Sequence, residues 1–203
     1  MTSSFFIGLS LGQMSDPSAM AVLDKEPPQQ KGEQPLYNAV FLHRWPIGTP
    51  YPRVVDGITK ALDGEPFARG GKAVGNVYLT IDATEVGRPV VDMFKRGRRS
   101  AHLDAITITG GHKVNNEDGY QVPKRVLVST LQVALQTARL KIASQLQEAP
   151  TLSRELQNFQ LTATEQANDT YEGRRGSQSD LVLAVALALW RGSNDGVGIF
   201  LSW

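Results

Sequence analysis

Three aspartates stand at the ends of apolar segments, where a carboxylate can serve chemistry as readily as structure. Asp16 precedes Pro17 in a short link, Asp82 closes the run Asn76 to Ile81, and Asp180 opens the run Leu181 to Trp190. The chain has no cysteine, so disulfides and thiolate metal sites are excluded, and any metal must be held by oxygen or imidazole. Each aspartate also has a plain reading. Asp16 before a proline suits a turn. Asp180 before an apolar helix suits an N-cap, worth ~1 kcal/mol, and capping is compatible with metal binding. Asp82 is the strongest candidate, because a carboxylate at the end of a strand in an α/β sheet lies where such folds place ligands.

A second constellation is basic. The run Lys95-Arg96-Gly97-Arg98-Arg99, with Lys72, Lys113, Lys124, Arg125, Arg174 and Arg175, could contact the phosphates of DNA. The same run suits the C-terminal end of a helix, where cations oppose the macrodipole. The clustering favours DNA contact, since the formal net charge of the 203-residue chain is only +1. His43, His102 and His112 lack the spacing of zinc ligands. Gly70-Gly71-Lys72 fails as a phosphate loop, because Ala73 follows the lysine and Pro66 stands at the leading glycine position.

The elements that must position these residues follow from patterning. Phe5 to Leu11 and Ala19 to Lys25 read as two strands of a hairpin, and Leu36 to Trp45 as a third strand. Pro52 to Leu62 has helical apolar spacing with proline in its first turn. A strand over Asn76 to Ile81, a helix from Pro89 to Phe94 and a strand over Asp104 to Thr109 argue for a parallel crossover and an α/β domain. Gly110 to Tyr120 reads as a loop, Pro123 to Ala143 as one long helix, Leu152 to Phe159 as a shorter one, and Leu181 to Trp190 as a buried helix. With 41% hydrophobic and 20% charged residues, the chain suits one domain spanning 1–203. Its longest apolar run is far short of the ~20 residues that span a bilayer, and the N-terminus lacks signal-peptide features, so a cytoplasmic location is expected.

The order hairpin, third strand, helix, aspartate-ended strand, helix, strand, helices and aspartate-opened helix is the ribonuclease H plan. In detail the chain resembles the C-terminal nuclease domain of the large terminase subunit of tailed bacteriophages. The resemblance rests on Gly8-Leu9-Ser10-Leu11-Gly12-Gln13 with Asp16-Pro17-Ser18-Ala19, on Leu79-Thr80-Ile81-Asp82-Ala83-Thr84-Glu85-Val86-Gly87, and on Ser179-Asp180-Leu181-Val182-Leu183-Ala184. It spans nearly the whole chain. It implies a ribonuclease H-like mixed sheet, with antiparallel hairpin strands followed by parallel strands, flanked by helices. It also implies a magnesium- or manganese-dependent DNA endonuclease that cuts genomes during packaging in a bacterial host cell, using two metal ions. Its partners would be double-stranded DNA and an ATPase domain that this chain lacks.

By the same resemblance Asp82 and Asp180 match metal ligands, and Asp16 matches an additional acidic position. Ser10 is the departure. The family pattern has aspartate there, usually bridging both ions, whereas a serine hydroxyl is neutral and a poor magnesium ligand. Glu85 stands where glycine is more usual and is a candidate to compensate, although a polar residue at a helix entrance is the better reading of it. Two functions therefore stand open: an endonuclease with metal binding weakened at Ser10, or a degenerate fold that binds DNA or a packaging partner without cleaving. An actin-like or sugar-kinase ATPase would need a second phosphate-binding hairpin and a longer chain. A Holliday-junction resolvase is nearer, but Trp45-Pro46-Ile47-Gly48-Thr49-Pro50-Tyr51 looks terminase-like.

Overall fold

Apolar residues alternate between two faces of the central strands, so the sheet must be covered on both sides. A computed structural model describes residues 4–12, 16–69, 72–73, 75–84, 87–96, 101–111, 113–115, 120–165 and 179–195. The elements are β1 (Ser4–Ser10), β2 (Ala19–Glu26), β3 (Leu36–Arg44), α1 (Tyr51–Leu62), β4 (Ala68–Arg69), β5 (Lys72–Ala73), β6 (Asn76–Asp82), α2 (Gly87–Arg96), β7 (His102–Thr109), β8 (Tyr120–Pro123), α3 (Lys124–Gln136), β9 (Leu140–Ile142), α4 (Ala149–Glu165) and α5 (Asp180–Ser193). Seven strands form one sheet in the order β8-β7-β6-β1-β2-β3-β9, and β4 pairs with β5 apart from it. β2 is antiparallel to both neighbours, while β1–β6, β6–β7, β7–β8 and β3–β9 are parallel. This is the mixed sheet that the sequence implies.

One face carries Phe6, Leu23, Tyr37, Ala39 and Leu42 against α5, with Leu127 and Leu131 of α3 and Leu152 of α4 in the same core. The other face carries Phe5, Ile7, Leu9, Val22, Leu79 and Ile81 against Val54, Ile58 and Leu62 of α1. α5 lies almost directly on β1. A Cβ on Gly8 would stand 2.8 Å from the Ala188 nitrogen, and a Cβ on Gly192 would stand 2.7 Å from the Tyr37 ring. Gly8 opposes the middle of α5 and Phe6 its end, so α5 runs antiparallel to β1. Its first residue therefore lies toward the C-terminal ends of the parallel strands.

Two expectations need correction. Residues 123–143 do not form one helix: α3 ends at Gln136, and β9 follows. The stop is a Schellman turn, in which Ala138 N–H donates to Leu135 O (3.1 Å) and Arg139 N–H to Ala134 O (2.8 Å). Ala138 takes a positive φ of 53° there, so the usual glycine signal for a helix end is missing. The expected loop up to Tyr120 also ends early, since Tyr120 begins β8 and Asn115 bridges to Gln121.

Candidate functional site

Strand register carries the candidate residues into one row. Ser10 pairs with Ala19 across β1–β2, and Ala19 pairs with Arg44 across β2–β3. On the other side Leu9 pairs with Ile81, so Ser10 and Asp82 are the next positions along their two strands. The row Asp82, Ser10, Ala19, Arg44 thus crosses four strands on the face covered by α5. Ser10 is buried, at 5% exposure.

Asp82 closes β6 and folds back onto its own loop. Its Oδ1 accepts hydrogen bonds from the Thr84 N–H (2.9 Å) and from the Thr84 hydroxyl. Thr84 Oγ1 in turn accepts from the Ile108 N–H of β7 at 2.8 Å. Burial raises the Asp82 carboxyl above the usual carboxylate range, while the Thr84 hydrogen bonds and the charge of Lys124 oppose the rise.

Asp180 begins α5 inside the helix, rather than capping it: Ser179 is the N-cap residue. Asp180 Oδ2 lies 3.8 Å from Arg44 Nη2. Burial first, and the charge of Asp16 second, push the Asp180 carboxyl up to about 6, with Arg44 opposing. Asp16 is exposed on the link between β1 and β2, close enough for its field to reach Asp180. The link is fastened where it leaves β1, since the Gly12 N–H donates to Ser18 Oγ at 3.1 Å.

The capping role falls to a residue that sequence reasoning missed. Glu155 of α4 accepts from the Leu181 N–H (3.0 Å) and the Val182 N–H (3.1 Å) through Oε2. It is only 5% exposed. Burial, chiefly, and the charge of Asp180 push its carboxyl up to about 7, against the two backbone hydrogen bonds and Arg44. The available signal was a glutamate at helical spacing from the buried Ala149 and Leu152 of its own helix, 26 residues before its partner.

This raised value has a testable consequence. A carboxyl with a higher value folded than unfolded binds more protons in the native state. Its stabilisation is complete below the unfolded value and is lost as pH rises through the folded one. Native stability should fall between pH 4.5 and 7 as Glu155 ionises, with Asp180 acting in the same direction. Glu155→Gln keeps an acceptor for the α5 amides and should flatten this slope, gaining on the order of 2 kcal/mol over wild type at pH 8. Urea unfolding at pH 5, 6.5 and 8 measures it, and an unchanged slope would reject the assignment.

The basic residues divide between the two ends of the sheet. α2 leaves the Asp82 end and returns the chain to the start of β7, so Lys95 and Arg96 in its last turn lie at the opposite end. Lys95 also pairs with Asp92 at 3.7 Å. Lys124 and Arg125 open α3 at the end of β8 and lie at the Asp82 end. Arg98, Arg99, Arg174, Arg175, Glu85 and His112 lie outside the described residues. His43 packs its ring against Trp45, and His102 stacks on Tyr78. Among the described residues, no three acids or histidines are grouped closely enough to hold a metal ion.

No protein-family model matches the chain, and no curated protein sequence matches it significantly. Solved structures do. The large terminase nuclease of thermophilic phage G20c matches with a TM-score of 0.55 and 17% identity, covering 93% of this chain and 82% of that one. The human cytomegalovirus terminase nuclease domain matches with a TM-score of 0.56 and 9% identity, over 94% and 84%. The large terminase nuclease domain of bacteriophage SPP1, solved with bound manganese, matches with a TM-score of 0.52 and 15% identity, over 93% and 86%. Sheet order, the helices on both faces and these matches agree: the chain has the ribonuclease H-like fold of terminase large-subunit nuclease domains.

Proposed function

We propose that this chain is a single nuclease-type domain of a phage or prophage DNA-packaging terminase, a hydrolase acting on double-stranded DNA with magnesium or manganese. It would cleave weakly because Ser10 replaces a bridging carboxylate. The observation that carries the reading is that the β1–β6 register and the antiparallel run of α5 over Gly8 put Asp82 and Asp180 at the same end of the sheet, with Ser10 of β1 beside Asp82. Its work would be done in the bacterial cytoplasm beside an ATPase partner. No helix among the described residues is long and apolar enough to cross a membrane.

The donor chemistry fits one hard divalent ion better than a bridged pair. Asp180 Oδ2 is buried and has no hydrogen-bond partner among the described residues, and Asp16 crowds it with like charge. A cation relieves both costs. Among the described residues the acids are not grouped closely enough to hold an ion as they stand, so Asp82 and Asp180, with Asp16 in support, would have to draw together on it. When bound, such an ion stabilises charge on a phosphodiester and activates water. Thr84 fixes the Asp82 carboxylate through two hydrogen bonds, and Glu155 fixes the first turn of α5 that carries Asp180. Lys124 adds positive charge beside Asp82, where DNA phosphate would approach.

The test is nicking of supercoiled plasmid. Wild type should nick slowly in millimolar manganese and not in chelator, and Asp82→Asn should lower the rate by about 100-fold, a loss of several kcal/mol of metal-derived stabilisation. Equal rates for wild type and Asp82→Asn would reject the cleavage reading. A second reading is a domain that binds DNA or a packaging protein without cutting. It is favoured by Arg44 beside Asp180, and would leave wild type inert while retaining DNA binding.

A further inference from the structure

One acid of the site, Asp180, faces a cation from the chain itself. Arg44 is the last residue of β3, and the pairs Ser10–Ala19 and Ala19–Arg44 place it in the same row as Ser10. The Ala19 side chain between them is a single methyl group. Arg44 Nη2 stands 3.8 Å from Asp180 Oδ2, and the two side chains are only 19% and 13% exposed. At that separation the pair is electrostatic rather than hydrogen-bonded, and Asp180 Oδ2 has no hydrogen-bond partner among the described residues. The guanidinium therefore stands beside a carboxylate oxygen that retains its acceptor capacity. Burial weakens solvent screening of the pair, so a divalent ion arriving at Asp180 meets a resident positive charge.

We propose that Arg44 is the counter-cation of this site, neutralising Asp180 until a divalent ion takes its place. The proposal rests on the metal-binding reading above and gives that site a regulator within the chain. The positive charge beside the ligand lowers metal affinity and sets a threshold ion concentration for loading. It is a positioning role, exerted through Asp180.

Calorimetric titration of manganese into the full chain tests it, using wild type, Arg44→Lys, Arg44→Gln and Arg44→Met. The methionine variant keeps an unbranched stem in the packed row if glutamine disturbs folding, and melting curves check each protein. Neutral variants should bind manganese roughly tenfold more tightly than wild type, and Arg44→Lys should resemble wild type. Their melting temperature should also rise more on adding manganese. Unchanged or weaker binding by folded neutral variants, with wild type still binding, overturns the role of Arg44 alone. Absence of manganese binding in all four proteins overturns the metal reading and the proposal with it.

Discussion

Replacing Ser10 by aspartate is expected to raise plasmid nicking by about 100-fold and to let magnesium replace manganese. Position 10 lies on the α5-covered face beside the end of β6, in register with the position that carries Asp82. A carboxylate there adds a unit of negative charge next to Asp82 and toward Asp180. A hard ion gains an anionic oxygen ligand where it now meets a neutral hydroxyl. A hundredfold gain corresponds to ~2.7 kcal/mol of barrier, within the several kcal/mol that a well-held ion supplies. The same change should destabilise the metal-free protein, because Ser10 is buried and a new carboxylate there would be desolvated beside the like charge of Asp82. Manganese should restore the melting temperature. If Ser10→Asp folds and binds manganese but nicks no faster, the absence of a carboxylate at position 10 is not what limits cleavage.

Gly8→Val is expected to leave little folded protein. The Cβ alone would stand 2.8 Å from the Ala188 nitrogen and 2.9 Å from the Ala184 carbonyl carbon, with the Ala184 oxygen closer still. These are backbone atoms of a buried helix, which cannot turn aside as a side-chain tip can. Ordinary overpacking costs ~1–3 kcal/mol; displacing α5 from β1 should exceed that, against a total stability of ~5–15 kcal/mol. Gly8→Ala, the milder variant, should lower the melting temperature by roughly 10 °C. Circular dichroism melts measure both. A Gly8→Val protein melting within 2 °C of wild type, taken as about 0.5–1 kcal/mol, would show that α5 is not held against β1 as described.

The elements that could be read from the sequence were those whose own residues carry the signal. Alternating or continuous apolar runs marked β1, β2, β3, β6 and β7, and the unbroken run Leu181 to Trp190 marked α5 as buried. The short strands β8 and β9 were not legible. They have four and three residues, too few for a period to show, and α3 ends at an alanine with positive φ where a glycine would have announced the stop. Asp82 and Asp180 could be singled out because each closes or opens a strongly patterned element. The basic run at Lys95 and Arg96 could not be placed, because the end of the sheet at which a helix terminus lies depends on the crossover, not on its charges.

The sequence by itself determined the layered α/β plan, the hairpin start, and the neutral hydroxyl at Ser10, because side-chain periodicity and residue type are local properties. Tertiary structure alone decided what surrounds the acids. Register across three strands set Arg44 in the row of Ser10, and packing of α4 on α5 made Glu155, rather than Asp180, the acceptor for the first α5 amides. The antiparallel run of α5 over Gly8 brought Asp180 to the same strand end as Asp82. Burial and fields from groups distant in sequence then shifted these carboxyls. Such effects depend on distances through space, which residue order constrains only after the chain has folded.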